Sequence, residues 1–177
     1  MRNGSRNFLV DTNVLVYAYD PTDGSKRERA ITVLDRLDAR QLGALSPQIL
    51  GEFFVSVTRK IPSPLTEAEA ERSLTNYIRS WVVYDLTELV VLEAVLGLQR
   101  HQLSYWDSLI WATAKLNGVP NVLSEDFSDG VLLEGVRFLN PFAETFDLAL
   151  MGVDTGKRPR SQVKSTWRSR CRPSPCQ

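Results

Sequence analysis

The chain has 177 residues, 43% hydrophobic and 24% charged, an ordinary profile for a soluble domain and outside the ranges of disordered, fibrous or collagen-like sequences. Its 21 basic and 21 acidic residues balance, but beyond position 150 seven basic residues face one acid, so a net acidic body (1–150) precedes a net basic tail (151–177). Both cysteines, Cys171 and Cys176, lie in that tail, which excludes a disulfide-built core and fits a reducing cytoplasm. The apolar tracts are cut by acids before they reach membrane-spanning length, and the N-terminus lacks a signal-peptide pattern.

In chain order, NFLVD (residues 7–11) reads as a short buried strand, NVLVYAYD as a brief helix or turn, and DPTDG as a loop of turn formers. Ser25 and Glu28 have capping-box spacing ahead of Ala30, Ile31, Val33, Leu34 and Leu37 at helical intervals. GALS is a second strand; Ser46 and Pro47 then suit the start of a helix carrying Ile49, Leu50, Phe53, Phe54 and Val57, which IPSP ends. Thr66 and Glu69 form another capping box, opening a helix to about Arg79, and WVVYDL supplies a third strand. Thr87 starts a helix through Leu89, Leu92, Val95 and Leu96; Ser104 caps a helix from Tyr105 to Asn117, stopped by Gly118 and Pro120. VPNVLSED and VRFLNP give a fourth and a fifth strand. Strands alternating with helices imply an α/β domain whose mostly parallel sheet, of about five strands, is covered on both faces. From about Thr155 the periodicity stops and Arg, Lys, Ser and Pro dominate, as in a disordered extension.

Ligands of such a sheet collect beyond the carboxyl ends of its strands. Asp11 closes the first strand and Asp126 follows the fourth, so both can face one crevice although 115 positions separate them. Asp107 lies in the first turn of the helix capped by Ser104, and Glu52 lies outside the arc of Ile49, Phe53 and Val57 on its own helix. Singly, each has an ordinary reading as a strand-end, capping or solvated residue; the functional case rests on the set. Unit charges ~4 Å apart repel by about 4 kcal/mol at an effective dielectric of 20, so gathered carboxylates need protons or cations. Oxygen donors without histidine or cysteine select Mg²⁺, with Mn²⁺ as a substitute. The sole histidine, His101, precedes the Asp107 helix and reads as a packing or surface residue rather than a ligand.

The motifs FLVDTNVLVYAYD, SPQILGEFF, LSYWDSLIWATAKLNG and VLSEDFSDG, in this order over roughly residues 7–141, resemble the PIN-domain family, and within it the VapC-like toxins of bacterial toxin–antitoxin pairs. The resemblance implies a three-layer α/β/α fold and a metal-dependent endoribonuclease in which Asp11, Glu52, Asp107 and Asp126 hold the divalent ions. Thr12 and Asn13 match the small polar pair after the family's first aspartate and are expected to support Asp11; Ser124 is expected to orient the last loop, and Asp129 competes with Asp126 for the place nearer the metal. The same resemblance implies an RNA substrate, a small antitoxin partner and a homodimer.

An acidic body is a poor generic RNA binder, because basic groups at phosphates supply most affinity. Arg59, Lys60 and Lys115 are the candidates for tracking the backbone, and Trp111, one turn beyond Asp107, for stacking on a base. The basic tail is a candidate RNA-binding arm. Leu34, Leu37, Phe53, Phe54 and Val57 exceed the needs of a small core, so some are candidates for interfaces, core packing being the default. Two rivals remain at this level. A phosphatase or phosphotransferase with an aspartate nucleophile also begins with three apolar residues and Asp, but expects a second Asp where Asn13 stands; a non-catalytic module would bind RNA or protein without turnover.

Overall fold

A computed structural model of the protein describes residues 8–152; the basic tail, with both cysteines, lies outside the described residues from 153 onward. The elements are β1 (Phe8–Val10), α1 (Thr12–Tyr17), α2 (Gly24–Arg40), β2 (Gly43–Leu45), α3 (Pro47–Arg59), α4 (Glu67–Ser80), β3 (Val82–Val83), α5 (Glu88–His101), α6 (Tyr105–Leu116), β4 (Asn121–Leu123), β5 (Leu132–Leu133) and β6 (Val136–Leu139), closed by a 3₁₀ turn at Leu148–Met151. The strands form one sheet in the order β3-β2-β1-β4-β6-β5. Every pairing is parallel except β5 with β6.

This order has a consequence for ligand binding. From β1 the chain steps outward through β2 to β3, then returns across the sheet to β4, so the direction of crossover reverses between β1 and β4. Right-handed connections therefore put α1 to α4 on one face and α5 and α6 on the other. Packing agrees: α3 touches α1 and α4, while α5 and α6 pack together. The adjacent carboxyl ends of β1 and β4 become the switch point, where open α/β sheets hold their ligands.

Local chemistry explains most boundaries. Ser46, Thr66, Thr87 and Ser104 each accept a backbone N–H three residues on, and the Thr66–Glu69 capping box closes in both directions. The Ser25–Glu28 box does not form: Asp23 caps α2 by accepting the Lys26 amide at 3.0 Å, since a carboxylate there also meets the positive helix end. WVVYDL contracts to Val82–Val83, because Trp81 still ends α4 and turns its indole to Gly43 and Asp38. The sixth strand, β5, is too short to register as periodicity. It is fixed instead by a two-residue turn in which Glu134 and Gly135 both have positive φ, at 45° and 89°.

The core lies on both faces of β1, β2 and β4, with Leu9, Val10, Leu45 and Val122 fully enclosed. Leu34, Leu37, Phe53 and Val57, candidates for interfaces in the sequence, are also fully buried, and Phe54 packs partly against the same core. The apolar surface lies elsewhere: α5 leaves Leu89 (62%) and Leu92 (60%) exposed together with Val95 and Leu96. Its other side is packed so tightly that a methyl carbon at Gly97 would sit 2.3 Å from Cζ3 of the buried Trp111. Gly97→Ala, which in an exposed helix would gain about 1 kcal/mol, should here cost about 1–3 kcal/mol through overpacking. Urea denaturation of the variant and the parent checks the sign.

Candidate active site

Asp11 directly follows β1 and is the N-cap of α1. Its amide extends the β1–β4 ladder by donating to the Leu123 carbonyl at 2.9 Å, which drives the side chain into the interior at 4% exposure. There its carboxylate meets neutral donors only. Oδ1 accepts the Thr12 amide at 2.6 Å; Oδ2 accepts the Ser124 hydroxyl at 2.6 Å and the Asn13 amide group at 3.2 Å. Burial is the largest influence and raises its pKa; the Ser124 and Thr12 hydrogen bonds oppose this, the charges of Asp126 and Glu52 add to it, and the balance stands at about 7.

The loop after β4 presents Asp126. Tyr17 donates to Glu125 at 2.5 Å, and Lys26 donates both to Glu125 at 2.6 Å and to the Tyr17 hydroxyl at 2.9 Å. With Glu125 held by this latch, Asp126 faces Asn13, whose Nδ2 donates to it at 2.9 Å, and its own amide donates to Ser124 Oγ at 3.1 Å. Glu52 approaches from α3: Gln48, one turn earlier, donates to Oε1 at 2.9 Å, and the Thr12 hydroxyl donates to Oε2 at 3.3 Å. Asp107 approaches from the opposite face on α6, its Oδ2 accepting the Ser104 hydroxyl at 2.8 Å.

All four acids line one cavity of about 380 Å³ at the switch point. Thr12 and Asn13 are also in its wall, and the fully buried Ser124 lies behind Asp11. Among the described residues no three acidic, imidazole or thiol side chains close into a ready metal cage. The carboxylates are spread round the cavity and tied back by neutral donors, an arrangement that suits an ion keeping several of its own waters, as Mg²⁺ does.

Other expected residues fall elsewhere. Asp129 accepts the Asn140 amide at 2.9 Å and the Thr145 hydroxyl at 3.3 Å, bracing the loop after β6 and leaving the cavity to Asp126. Trp111 is fully buried against Gly97, with its indole N–H on the Leu133 carbonyl, so it offers no face to a base. Lys115 is held by Glu93 and Glu134 on the far side of α6. Arg59 is exposed and away from the cavity, whereas Lys60 lines it. Sequence reasoning missed Gln48, although its position four residues before Glu52 put both on one helix flank, and Asp20, which also lines the cavity. It missed the Tyr17–Lys26–Glu125 latch too, whose partners are remote in sequence.

A buried carboxylate at the junction of two parallel strands, answered by acids from helices on opposite faces, defines a class of α/β fold with an acid-lined site at its switch point. The PIN-domain family model matches residues 8–128. The chain belongs to the PIN-domain family. Among solved structures it resembles the VapC20 toxin of Mycobacterium tuberculosis, a Sarcin-Ricin loop cleaving toxin (22% identity, 65% of this chain and 86% of that chain, TM-score 0.50). It also resembles a chain of a toxin–antitoxin complex from Klebsiella pneumoniae (21% identity, 75% and 96%, TM-score 0.54). Among curated proteins no sequence match to the chain is found.

The raised pKa of Asp11 sets the pH behaviour of the cation-free protein. Its ionised form is disfavoured in the fold, so its contribution to stability is greatest below the unfolded value of 3.8 and is lost as pH rises through about 7. The cost at pH 8 is on the order of 4 kcal/mol. In EDTA, thermal unfolding should shift to lower temperature between pH 5 and pH 8, and Asp11→Asn should flatten that decline.

Proposed function

We propose that this chain is a divalent-metal-dependent endoribonuclease that hydrolyses RNA phosphodiester bonds in the cytoplasm as the toxin of a toxin–antitoxin pair. The observation that carries this reading is the convergence of Asp11, Glu52, Asp107 and Asp126, from four elements and both faces of the sheet, on one cavity. The donors are oxygen throughout, which fits Mg²⁺ or Mn²⁺ and disfavours zinc. The four acids would hold the ion, which when bound acidifies water and offsets charge on the phosphate and its leaving oxygen.

The chain's own groups prepare for this. Asp11, with a pKa near 7, is easily stripped of its proton by an arriving cation. Asn13 spans Asp11 and Asp126, and Thr12 with Gln48 fixes both oxygens of Glu52, so three acids share a braced frame. Lys60 stands at the rim as a counter-charge for phosphate. Water is the nucleophile in this reading, since the Ser124 hydroxyl is buried and committed to Asp11. The aspartate-nucleophile phosphatase loses support: Asn13 stands at its second acid, and the Asn13 amide is spent on Asp11 and Asp126.

Cleavage of an RNA panel with and without Mg²⁺ tests the function. Loss of a residue that merely orients a metal ligand costs ~10–100-fold, so Asp11→Asn and Asp107→Asn should each lower the rate at least about a hundredfold with the far-UV spectrum retained. Unchanged cleavage by either variant contradicts the proposal, and RNA binding without turnover under any divalent ion favours a non-catalytic module.

Two partners belong to the same reading. An antitoxin is supported by the solved relative seen in a toxin–antitoxin complex. A homodimer is supported by the apolar face of α5, because contiguous exposed apolar surface of this kind marks interaction sites. Leu92→Glu combined with Leu96→Glu should convert dimer to monomer in sedimentation velocity while leaving the unfolding midpoint within a few degrees.

A further inference from the structure

Beside the acidic cavity lies a second, larger trough of about 700 Å³. The two are continuous: Gln48, Glu52, Ser56, Lys60 and Trp106 border both. The added walls are apolar, from Pro47, Val55, Leu86 and Leu109. The floor on the α3 side is Gly51, where a side chain would meet nothing within 4 Å. At the junction stands Trp106, 59% exposed, with Tyr105 edge-on to its ring at 5.3 Å. An aromatic this large, left open at the lip of an acidic cavity and immediately before Asp107, has no packing role to explain it.

We propose that this trough receives an unpaired nucleobase next to the phosphate held at the acids, with Trp106 as its stacking platform. The proposal rests on the ribonuclease reading for the identity of that phosphate, and it replaces Trp111 as the base-stacking candidate. The occupant follows from covalent continuity: a phosphodiester in the acidic cavity carries its neighbouring base one sugar away, and the space there is apolar and aromatic. Lys60, bordering both spaces, supplies the counter-charge along that path. Only a base released from pairing can present its face in this way, so the substrate class is a single-stranded or looped RNA. Stacking is tolerant of base identity, because every base has a π-face.

One side chain ties the trough to the acids. Gln48 Nε2 donates to Glu52 at 2.9 Å and to the Trp106 backbone carbonyl at 3.3 Å. It therefore sets the platform and the carboxylate in one frame, which makes it a positioning residue for both.

The test uses the full chain carrying Asp11→Asn, to suppress turnover, and a labelled single-stranded RNA of about 12 nucleotides. A sugar-phosphate oligomer of equal length lacking bases is the control ligand. Trp106→Ala should weaken RNA binding at least about tenfold, while Trp106→Phe stays within about threefold. Gly51→Leu, which fills the trough from an open helix position, should weaken it equally without loss of thermal stability. The abasic oligomer should bind all four proteins alike. Equal RNA affinity across the variants, or an equal loss for RNA and abasic oligomer, overturns the proposal. So does a Trp106→Ala protein that keeps RNA but no longer binds the antitoxin proposed above, since the trough is then a protein-docking groove. If the parent chain cleaves no RNA yet Trp106 governs binding, the ribonuclease reading falls and the trough stands; the converse result separates them the other way.

Discussion

The structure depends on a carboxylate that the sheet itself buries. Because the Asp11 amide completes the ladder between β1 and β4, the backbone that carries its carboxylate is fixed at the strand end, and the side chain projects into the interior. An ion pair with Lys or Arg would have relieved the burial cost most directly. Instead the fold supplies a hydroxyl and two amides, which stabilise the ionised form incompletely and leave its pKa near neutrality. A resident cation from the protein would neutralise the site permanently; neutral donors leave the charge available to a ligand.

Lys26, which stands outside the cavity, shows the same logic. Lys26 is turned to Glu125, with Tyr17 between them, and its pKa is raised chiefly by the hydrogen bond to Glu125. This pairing removes one cation and one anion from the entrance together, so that Asp126 alone of the adjacent acids faces Asn13. On α3 and α6 the acids are likewise held by neighbours on their own helices, Gln48 and Ser104. Glu52 and Asp107 are therefore held in part by local partners, whereas Ser124, Asn13 and Thr12 tie Asp11, Asp126 and Glu52 together across segments that only the sheet topology makes neighbours. That division makes the site tolerant of changes in the long connections but sensitive to any slip in register between β1 and β4.

How much of this was legible in the sequence follows from the same division. Caps at Ser46, Thr66, Thr87 and Ser104 were readable, because a hydroxyl and the amide three residues on form a local code. The four acids were readable as a set, since strand ends and first turns can be located from periodicity. What could not be read was direction and depth. Trp111 and Trp106 sit on one helix five residues apart, and only the packing of α5 through Gly97 decides that the first is sealed in the core and the second open to solvent. Lys115 and Asp129 failed for a similar reason: their partners, Glu134 and Asn140, come from the β5–β6 region, whose hairpin is too short to leave a pattern. The apolar spacing of α5 located the helix, yet a sheet of short strands needs only one side of it, leaving Leu89 and Leu92 outside.

The acidity of residues 1–150 then acquires a meaning beyond net charge. A nuclease that held RNA by a basic surface would bind any polyanion and would lose affinity steeply with salt. In the proposed reading, attraction to phosphate among the described residues would centre on the cavity and its rim, through a bound cation and Lys60. Affinity beyond that must come from contacts that salt does not screen, and an exposed indole over an apolar trough is of that kind. Paired RNA gains nothing from such a contact, because its bases are already stacked. If the trough takes a base as proposed, the net acidic body would repel a duplex and a single strand alike, and only the strand that can turn a base into the trough would recover the difference, making repulsion a source of selectivity.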